Sequence, residues 1–175
     1  MGLNKTNTYI PKLEFIASIK QQIGSDGYQI VEANETKPWG AYYRIDSHQV
    51  EKFIAQYFPG LTLEQASLGI KGLQLSPKIL IVSPGQRLSW QYHHRRAERW
   101  TFLTSGAYYR SDSDEQGELT VVEPGHVVQF ERSERHRLVG LDSGYTIVAE
   151  IWQHTDADYP SDEEDIVRLQ DDYSR

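Results

Sequence analysis

Apolar residues recur at helical spacing in two places within the first third of the chain. The first stretch covers residues 12–23 and ends before Gly24, and the second runs from a cap at Asp46 or Ser47 to Pro59. Their apolar faces consist of Leu13, Phe15, Ile16, Ile19 and Ile23, and of Val50, Phe53, Ile54, Tyr57 and Phe58. This pattern predicts two short helices, with strands at YQIVEAN and GAYYRI between them.

From about residue 78 the pattern changes to short β-rich runs separated by turn residues. The runs include KILIVSPG, RLSWQYH, ERWTFLTSG, HVVQFE and YTIVAEIWQH, and helix-length periodicity is absent from them. Roughly six to eight short strands at this spacing predict an all-β fold, an antiparallel sandwich or barrel such as a jelly roll. We therefore expect helices and short strands over 1–69 packed on a barrel over 70–155, followed by a docked acidic segment over 156–175.

Composition narrows the function classes. The 175 residues suit one domain, and the absence of cysteine excludes disulfides, thiolate metal sites and a thiol nucleophile. The net charge of -7 argues against nucleic-acid binding, although the acidic residues concentrate after His154. No apolar run is long enough to span a membrane and the N-terminus lacks a signal-peptide block, so we expect a cytoplasmic protein.

The run RLSWQYH contains the first candidate metal ligands. Alternate residues of a strand face opposite sides, so the run has one apolar and one polar face. Leu88, Trp90 and Tyr92 share one face, and Arg87, Ser89, Gln91 and His93 share the other. Glu98 follows across a strand break, and His136 begins a later strand. If Gln91, His93, Glu98 and His136 converge inside a barrel, they form a nitrogen and oxygen site suited to a divalent metal. The alternative is that the histidines are hydrogen-bonded barrel residues and Glu98 pairs with Arg95 or Arg99.

The run from Gly85, GQRLSWQYHHRRAERWTFLTSG, resembles the first motif of cupins. Glutamine at the first ligand position, Gln91, is typical of small cupins similar to type II mannose-6-phosphate isomerases, including the isomerase half of mannose-6-phosphate isomerase/GDP-mannose pyrophosphorylases. The flanking pieces agree in order from Lys37 to Arg175. They are Lys37-Pro38-Trp39-Gly40, Arg96-Ala97-Glu98, Glu123-Pro124-Gly125, His136-Arg137-Leu138 and Glu164-Asp165-Ile166-Val167-Arg168.

The resemblance implies a cupin jelly-roll barrel that isomerises a phosphorylated sugar, most simply mannose 6-phosphate to fructose 6-phosphate. It implies one divalent metal ion, zinc first and Mn, Co, Ni or Mg otherwise, held by Gln91, His93, Glu98 and His136. Arginine and lysine hold phosphate by charge-assisted hydrogen bonds, and the expected substrate contacts are Arg87, Arg137, Lys37 and Arg99. A homodimer is expected, with a small-molecule sugar phosphate as partner and no nucleic acid or membrane.

The chain also departs from the family pattern. Arg95 and Arg99 stand where histidines are common, and Glu131-Arg132-Ser133 replaces the Pro-x-Gly before the second-motif histidine. Two other functions therefore stay open, a binding module for sugar phosphates or nucleotide sugars that does not catalyse, and another metal-dependent cupin enzyme such as an oxygenase. The sequence identifies no general base.

Overall fold

The computed structural model describes residues 10–174, in which the helices lie near the N-terminus. The predicted helix over 12–23 extends to Ser25, and in the second helical stretch the Asp46 side chain caps a 3-10 turn before the α-helix begins. A short third helix, which the apolar pattern does not predict, begins with a capping box between Thr62 and Gln65. The α-helices are α1 (Lys12–Ser25), α2 (Val50–Tyr57) and α3 (Leu63–Ala66).

Two antiparallel sheets form the rest of the structure. Their strands are β1 (Ile30–Lys37), β2 (Gly40–Ile45), β3 (Ser76–Val82), β4 (Trp90–Tyr92), β5 (Arg96–Phe102), β6 (Gly106–Ser111), β7 (Thr120–Val122), β8 (Val127–Phe130), β9 (Arg135–Val139), β10 (Thr146–His154) and β11 (Val167–Gln170). The six-stranded sheet has the order β1-β2-β3-β10-β5-β8, and the five-stranded sheet has the order β11-β4-β9-β6-β7. This arrangement confirms the predicted all-β jelly roll with short N-terminal helices.

The core between the sheets is aromatic. Trp100, Phe102 and Phe130 of the six-stranded sheet pack there with Tyr108 and Leu138 of the five-stranded sheet. Because strand residues alternate, every second residue of β5 points into this interior. Glu98 and Trp100 therefore point into the barrel.

The helices cover the outer face of the six-stranded sheet. Phe15 and Phe53 from the helices pack with Ile79, Ile81 and Ile147 from the middle strands. β3 and β10 are consequently buried on both faces, which explains their nearly continuous apolar sequences. The strands β1 and β2 extend the same sheet, so residues 30–45 contribute to the barrel wall while the helices cover it, and residues 1–9 of the predicted segment 1–69 lie outside the described residues.

The acidic C-terminal segment returns along the five-stranded sheet. β11 pairs antiparallel with β4, and its residues alternate between half-buried and exposed. Arg87 binds Asp172 with Nε to Oδ2 at 2.8 Å, and the Tyr173 hydroxyl donates to Gln86. These contacts hold the segment against the strand that leads to His93. Separately, none of the helices between residues 10 and 174 has the length and apolar character needed to cross a bilayer.

Candidate metal centre

Three of the predicted ligands meet inside the barrel. Glu98 lies on β5, His136 lies on β9, and His93 follows the end of β4. One ligand atom from each residue lies within 4.8 Å of those of the other two, and each residue is only 2% exposed. The Glu98 carboxylate stands between the rings, with Oε1 3.0 Å from Nε2 of His93 and Oε2 3.2 Å from Nε2 of His136.

The other nitrogen of each ring is committed to a backbone carbonyl. Nδ1 of His93 lies 2.6 Å from the carbonyl oxygen of Asp165, and Nδ1 of His136 lies 3.0 Å from that of Glu134. A carbonyl only accepts hydrogen bonds, so both Nδ1 atoms carry hydrogen. In neutral rings this leaves the Nε2 lone pairs directed toward the Glu98 carboxylate. Such a tautomer is the one that metal-binding histidines adopt.

The residues fit a divalent cation. Nε2 of His136 is buried and has no hydrogen-bond partner, because its approach to Glu98 lacks hydrogen-bond geometry. Burial lowers the pKa of His93, against the opposing pull of the Glu98 charge, so protonation does not readily relieve the contact between lone pair and carboxylate. Burial raises the pKa of Glu98, but its interactions with His93 and His136 outweigh burial and hold that pKa well below the usual value, so the carboxylate is charged. A divalent cation among the three groups would take the Nε2 lone pairs of both rings and the carboxylate charge, in place of the 3.4 Å contact that Arg96 makes to Nε2 of His93.

Gln91, the fourth predicted ligand, lies directly across the strand pair from His136. Its Oε1 accepts a hydrogen bond of 2.6 Å from Ser89, and its side chain lines the same cavity as Glu98. The amide is therefore positioned beside the three residues, and its role as a ligand stays a prediction.

A cavity of about 150 Å³ opens beside Glu98 and Gln91. Four basic side chains line it, and one of them, Lys78, is buried and binds Glu163 at 3.3 Å. Arg96 lies over the Trp152 ring and donates to both Glu98 and His93. The basic residues are Lys37, Lys78, Arg96 and Arg168. The carboxylates of Glu98, Glu150 and Glu163 line the same cavity, so the basic groups offer positive charge to an anionic group of a ligand within a wall of mixed charge.

Of the predicted substrate contacts, the structure brings only Lys37 to this cavity. Arg99 lies between Glu98 and Trp100 on β5, so alternation turns it to the outer face, where it lines a separate groove of about 1050 Å³. The prediction that Arg99 contacts a substrate beside the proposed metal site is therefore corrected, because neighbouring residues of a strand face opposite sides of the sheet.

The predictions for Arg87 and Arg137 are corrected for a different reason. Arg137 is fully buried and donates to the Leu88 carbonyl and toward Asp172, while Arg87 pairs with Asp172 from the other side. Both arginines therefore hold the returning C-terminal segment, and neither lines the cavity.

Glu150 is a cavity residue that sequence reasoning missed. It lies on β10, is 5% exposed, and accepts a hydrogen bond of 3.0 Å from the Trp100 indole. Burial, followed by the nearby charge of Glu98, raises the pKa of Glu150 to about 7. The available signal was a lone carboxylate in the otherwise apolar run TIVAEIW.

Asp165, a residue of the C-terminal motif to which the sequence assigns no role, contacts the predicted ligand region directly. Its carboxylate accepts hydrogen bonds from the backbone N–H groups of His94 and Arg95, at 2.8 and 3.0 Å, and from the Ser161 hydroxyl at 2.7 Å. These bonds outweigh burial and lower its pKa below the usual value. Asp165 thus remains charged and fixes the backbone of the two residues that follow His93.

Comparison with known proteins supplies the family context. The model of the family described as mannose-6-phosphate isomerase C-terminal matches residues 70–171, and no curated protein matches the chain. The capsular polysaccharide assembling protein CapF of Staphylococcus aureus aligns over 93% of this chain and 35% of its own, with 15% identity and a TM-score of 0.51. Hazelnut (Corylus avellana) vicilin aligns over 81% and 36%, with 11% identity and a TM-score of 0.53. The chain spans well under two thirds of both structures, and these likenesses concern the fold.

Proposed function

The chain belongs to the mannose-6-phosphate isomerase C-terminal family, and from this premise we propose that it is a metal-dependent aldose-ketose isomerase of a phosphorylated sugar. The simplest substrate is mannose 6-phosphate, converted to fructose 6-phosphate. The observation that carries the proposal is the buried group His93, Glu98 and His136 beside a cavity lined by basic side chains. A metal-binding group and an anion-binding group in one cavity suit a phosphorylated sugar.

His93, Glu98 and His136 would hold the metal ion, with Gln91 as the fourth ligand from the protein. A bound divalent ion supplies Lewis acidity, which polarises a sugar oxygen and stabilises the charge that develops on it. Zinc is the first candidate, because two imidazoles and a carboxylate are ligands that zinc commonly takes, and Mn, Co, Ni and Mg are the others.

The basic residues of the cavity would bind the phosphate. Lys37, Lys78 and Arg168 lie along its wall, and each can donate charge-assisted hydrogen bonds to a phosphate oxygen. Arg96 already donates to Glu98 and His93, so its charge serves the ligand group. This set replaces Arg87, Arg137 and Arg99 and keeps Lys37 from the sequence prediction.

Glu150 is our candidate for the proton carrier. Isomerisation removes a proton from C2 of the aldose and returns one to C1, while the hydroxyl proton of O2 passes to O1. Of the acidic residues that line the cavity in the described chain, Glu98 is a predicted ligand and Glu163 is paired with Lys78 at the surface. The carboxylate of Glu150 is buried in the cavity and can take the proton and return it.

Proton NMR in deuterated water tests this function. Protein loaded in turn with Zn, Mn, Co, Ni or Mg and given mannose 6-phosphate should form fructose 6-phosphate and exchange the migrating proton with solvent. Glu150→Gln should retain its metal and lose both conversion and exchange, whereas Glu118→Gln, which changes an exposed carboxylate, should behave as the unaltered protein.

The other outcomes separate the alternatives. Conversion without exchange would keep the isomerase. If Glu150→Gln then loses conversion, the proton transfer is shielded from solvent and Glu150 keeps its role, and if Glu150→Gln still converts the sugar, a hydride shift replaces the proton transfer. Binding of sugar phosphates without conversion under any metal would overturn the isomerase in favour of a binding module. Oxygen consumption with Fe(II) would instead favour an oxygenase.

The cellular setting is also a proposal. The absence of cysteine is consistent with a reducing compartment such as the cytoplasm.

The protein is also expected to form a homodimer, which would cover sheet edges that are otherwise open to pairing. Sedimentation of the purified protein as a monomer at micromolar concentration would contradict the dimer.

A further inference from the structure

The C-terminal segment forms part of the metal centre as well as the wall of the cavity. We call residues 161–172 the strap. Three of its residues, Glu163, Ile166 and Arg168, line the cavity beside Glu98. Asp165 joins the same strap to His93. The strap and the proposed metal ligands therefore share one set of contacts.

The contact with His93 fixes the ring in both rotation and tautomer. The Asp165 carbonyl holds Nδ1–H at 2.6 Å, which directs Nε2 toward Glu98. This carbonyl is 72 residues away along the chain, so its position depends on docking of the strap. An undocked strap leaves the His93 ring free to rotate and to carry its proton on either nitrogen.

The Asp165 side chain is what holds that carbonyl in place. It is 3% exposed and accepts the backbone N–H groups that follow His93, together with the Ser161 hydroxyl. Asp165 therefore binds the His93 ring through its backbone carbonyl and the backbone of the two following residues through its side chain. Arg95 anchors the strap further, because it donates to Asp162 within the strap and to the carbonyl of Pro160 directly before it.

We propose that docking of the strap and binding of the metal ion are thermodynamically coupled through Asp165, which acts as a positioning residue for His93. The inference rests on the metal site of the proposed function, and it does not depend on the reaction. Thermodynamic linkage makes the coupling reciprocal. If docking of the strap raises the affinity for the metal ion by a given factor, metal binding raises the equilibrium constant for docking by the same factor. Partners of metal-bound histidine rings commonly change affinity by about tenfold to hundredfold.

The first measurement is the affinity for Zn²⁺, by competition with a chelating dye. Asp165→Ala should weaken Zn²⁺ binding by about tenfold to hundredfold. Ser161→Ala removes a single bond to the carboxylate and should give a smaller loss in the same direction. Asp158→Ala, an exposed aspartate just before the strap, is the matched control and should bind Zn²⁺ as the unaltered protein does.

The second measurement is hydrogen exchange of the β11 amides, with β10 amides as the reference for global folding. Zn²⁺ should slow exchange in β11 of the unaltered protein, and this protection should shrink in Asp165→Ala while β10 stays protected. A purely structural role for Asp165 would loosen β11 equally with and without Zn²⁺.

The outcomes are distinguishable from failure of the proposed function. If the unaltered protein binds neither Zn²⁺ nor any of Mn, Co, Ni and Mg, both proposals fall, and if it binds another of these ions in place of Zn²⁺, both measurements are made with that ion. If it binds Zn²⁺ but Asp165→Ala binds equally well, or if Zn²⁺ leaves β11 exchange unchanged, only the coupling falls. If coupling is found but no sugar phosphate is converted, only the isomerase falls.

Discussion

Glu98 and Glu150, on the neighbouring strands β5 and β10, accept hydrogen bonds from the same donor. The indole Nε1 of Trp100 lies 3.2 Å from Oε2 of Glu98 and 3.0 Å from Oε2 of Glu150. Their environments separate the two acids, since histidines lower the pKa of Glu98 while burial and the Glu98 charge raise that of Glu150. Pairs of titratable groups driven apart in this way are suited to different chemical roles.

The raised pKa of Glu150 predicts a pH-dependent stability difference. In the metal-free protein, Glu150 titrates near 7 when folded and near the ordinary glutamate value of 4.5 when unfolded. Its contribution to stability is therefore fully present below about pH 4.5 and is lost as pH rises through 7. The free energy of unfolding should fall relative to that of Glu150→Gln over this window, as measured by chemical denaturation at each pH. A difference that is constant with pH would contradict the assigned titration.

The shared donor predicts that Trp100→Phe destabilises the protein beyond its loss of packing. The substitution leaves two buried carboxylates without their common hydrogen bond, and an unsatisfied buried acceptor costs about 1–3 kcal/mol. Thermal or chemical unfolding measures the loss. The double variant Trp100→Phe with Glu150→Gln should recover part of it, and a strictly additive cycle would argue against the shared contact.

The phosphate contacts predict which arginine matters for catalysis. Arg168 lines the cavity, whereas Arg87 pairs with Asp172 outside it. Arg168→Ala should lower kcat/KM for the phosphorylated sugar by about tenfold to hundredfold, the value of one lost charge-assisted contact, with the metal retained. Arg87→Ala should have a much smaller effect. Equal losses in the two variants would contradict this assignment and favour Arg87, which the sequence predicts, as a phosphate contact.

Arg137 is predicted to matter for stability. Its buried guanidinium holds the Leu88 carbonyl and faces Asp172, so Arg137→Ala should cost about 1–3 kcal/mol and make the strap cleavable in limited proteolysis. Arg44→Ala, which removes a half-exposed pair with Glu32, should cost at most about 1 kcal/mol. Rapid trimming after Tyr159 in the unaltered protein, without loss of thermal stability, would show that the strap is not docked.

Alternation and turn signals in the sequence predicted the fold, and the motif positions of His93, Glu98 and His136 predicted that these three side chains lie together. Alternation along β5 places Glu98 inside the barrel, where it faces His93 and His136 from the opposite, five-stranded sheet. The same alternation keeps Arg99 out of the barrel interior. The prediction for Arg99 relied on its position next to Glu98 in the sequence, whereas the face of the strand determines which side chains reach the cavity.

Long-range contacts explain the remaining differences. The roles of Arg87 and Arg137 depend on where the C-terminal segment returns, and no local pattern specifies that position. Glu150 was missed because its strand is apolar on both faces, and its significance appears only when β10 is placed beside β5. Pairing partners of strands distant in sequence are set by the whole fold.

Elemental analysis of purified variants tests the central claim most directly. The unaltered protein should carry one divalent ion per chain, and His93→Ala and His136→Ala should each lose it while keeping the β-rich fold, because the ligands lie on separate elements. His126→Ala, which removes a half-buried histidine near Tyr108, should keep full occupancy. Loss in both ligand variants with retention in the control is the predicted result, and full occupancy in both ligand variants would contradict the assigned site.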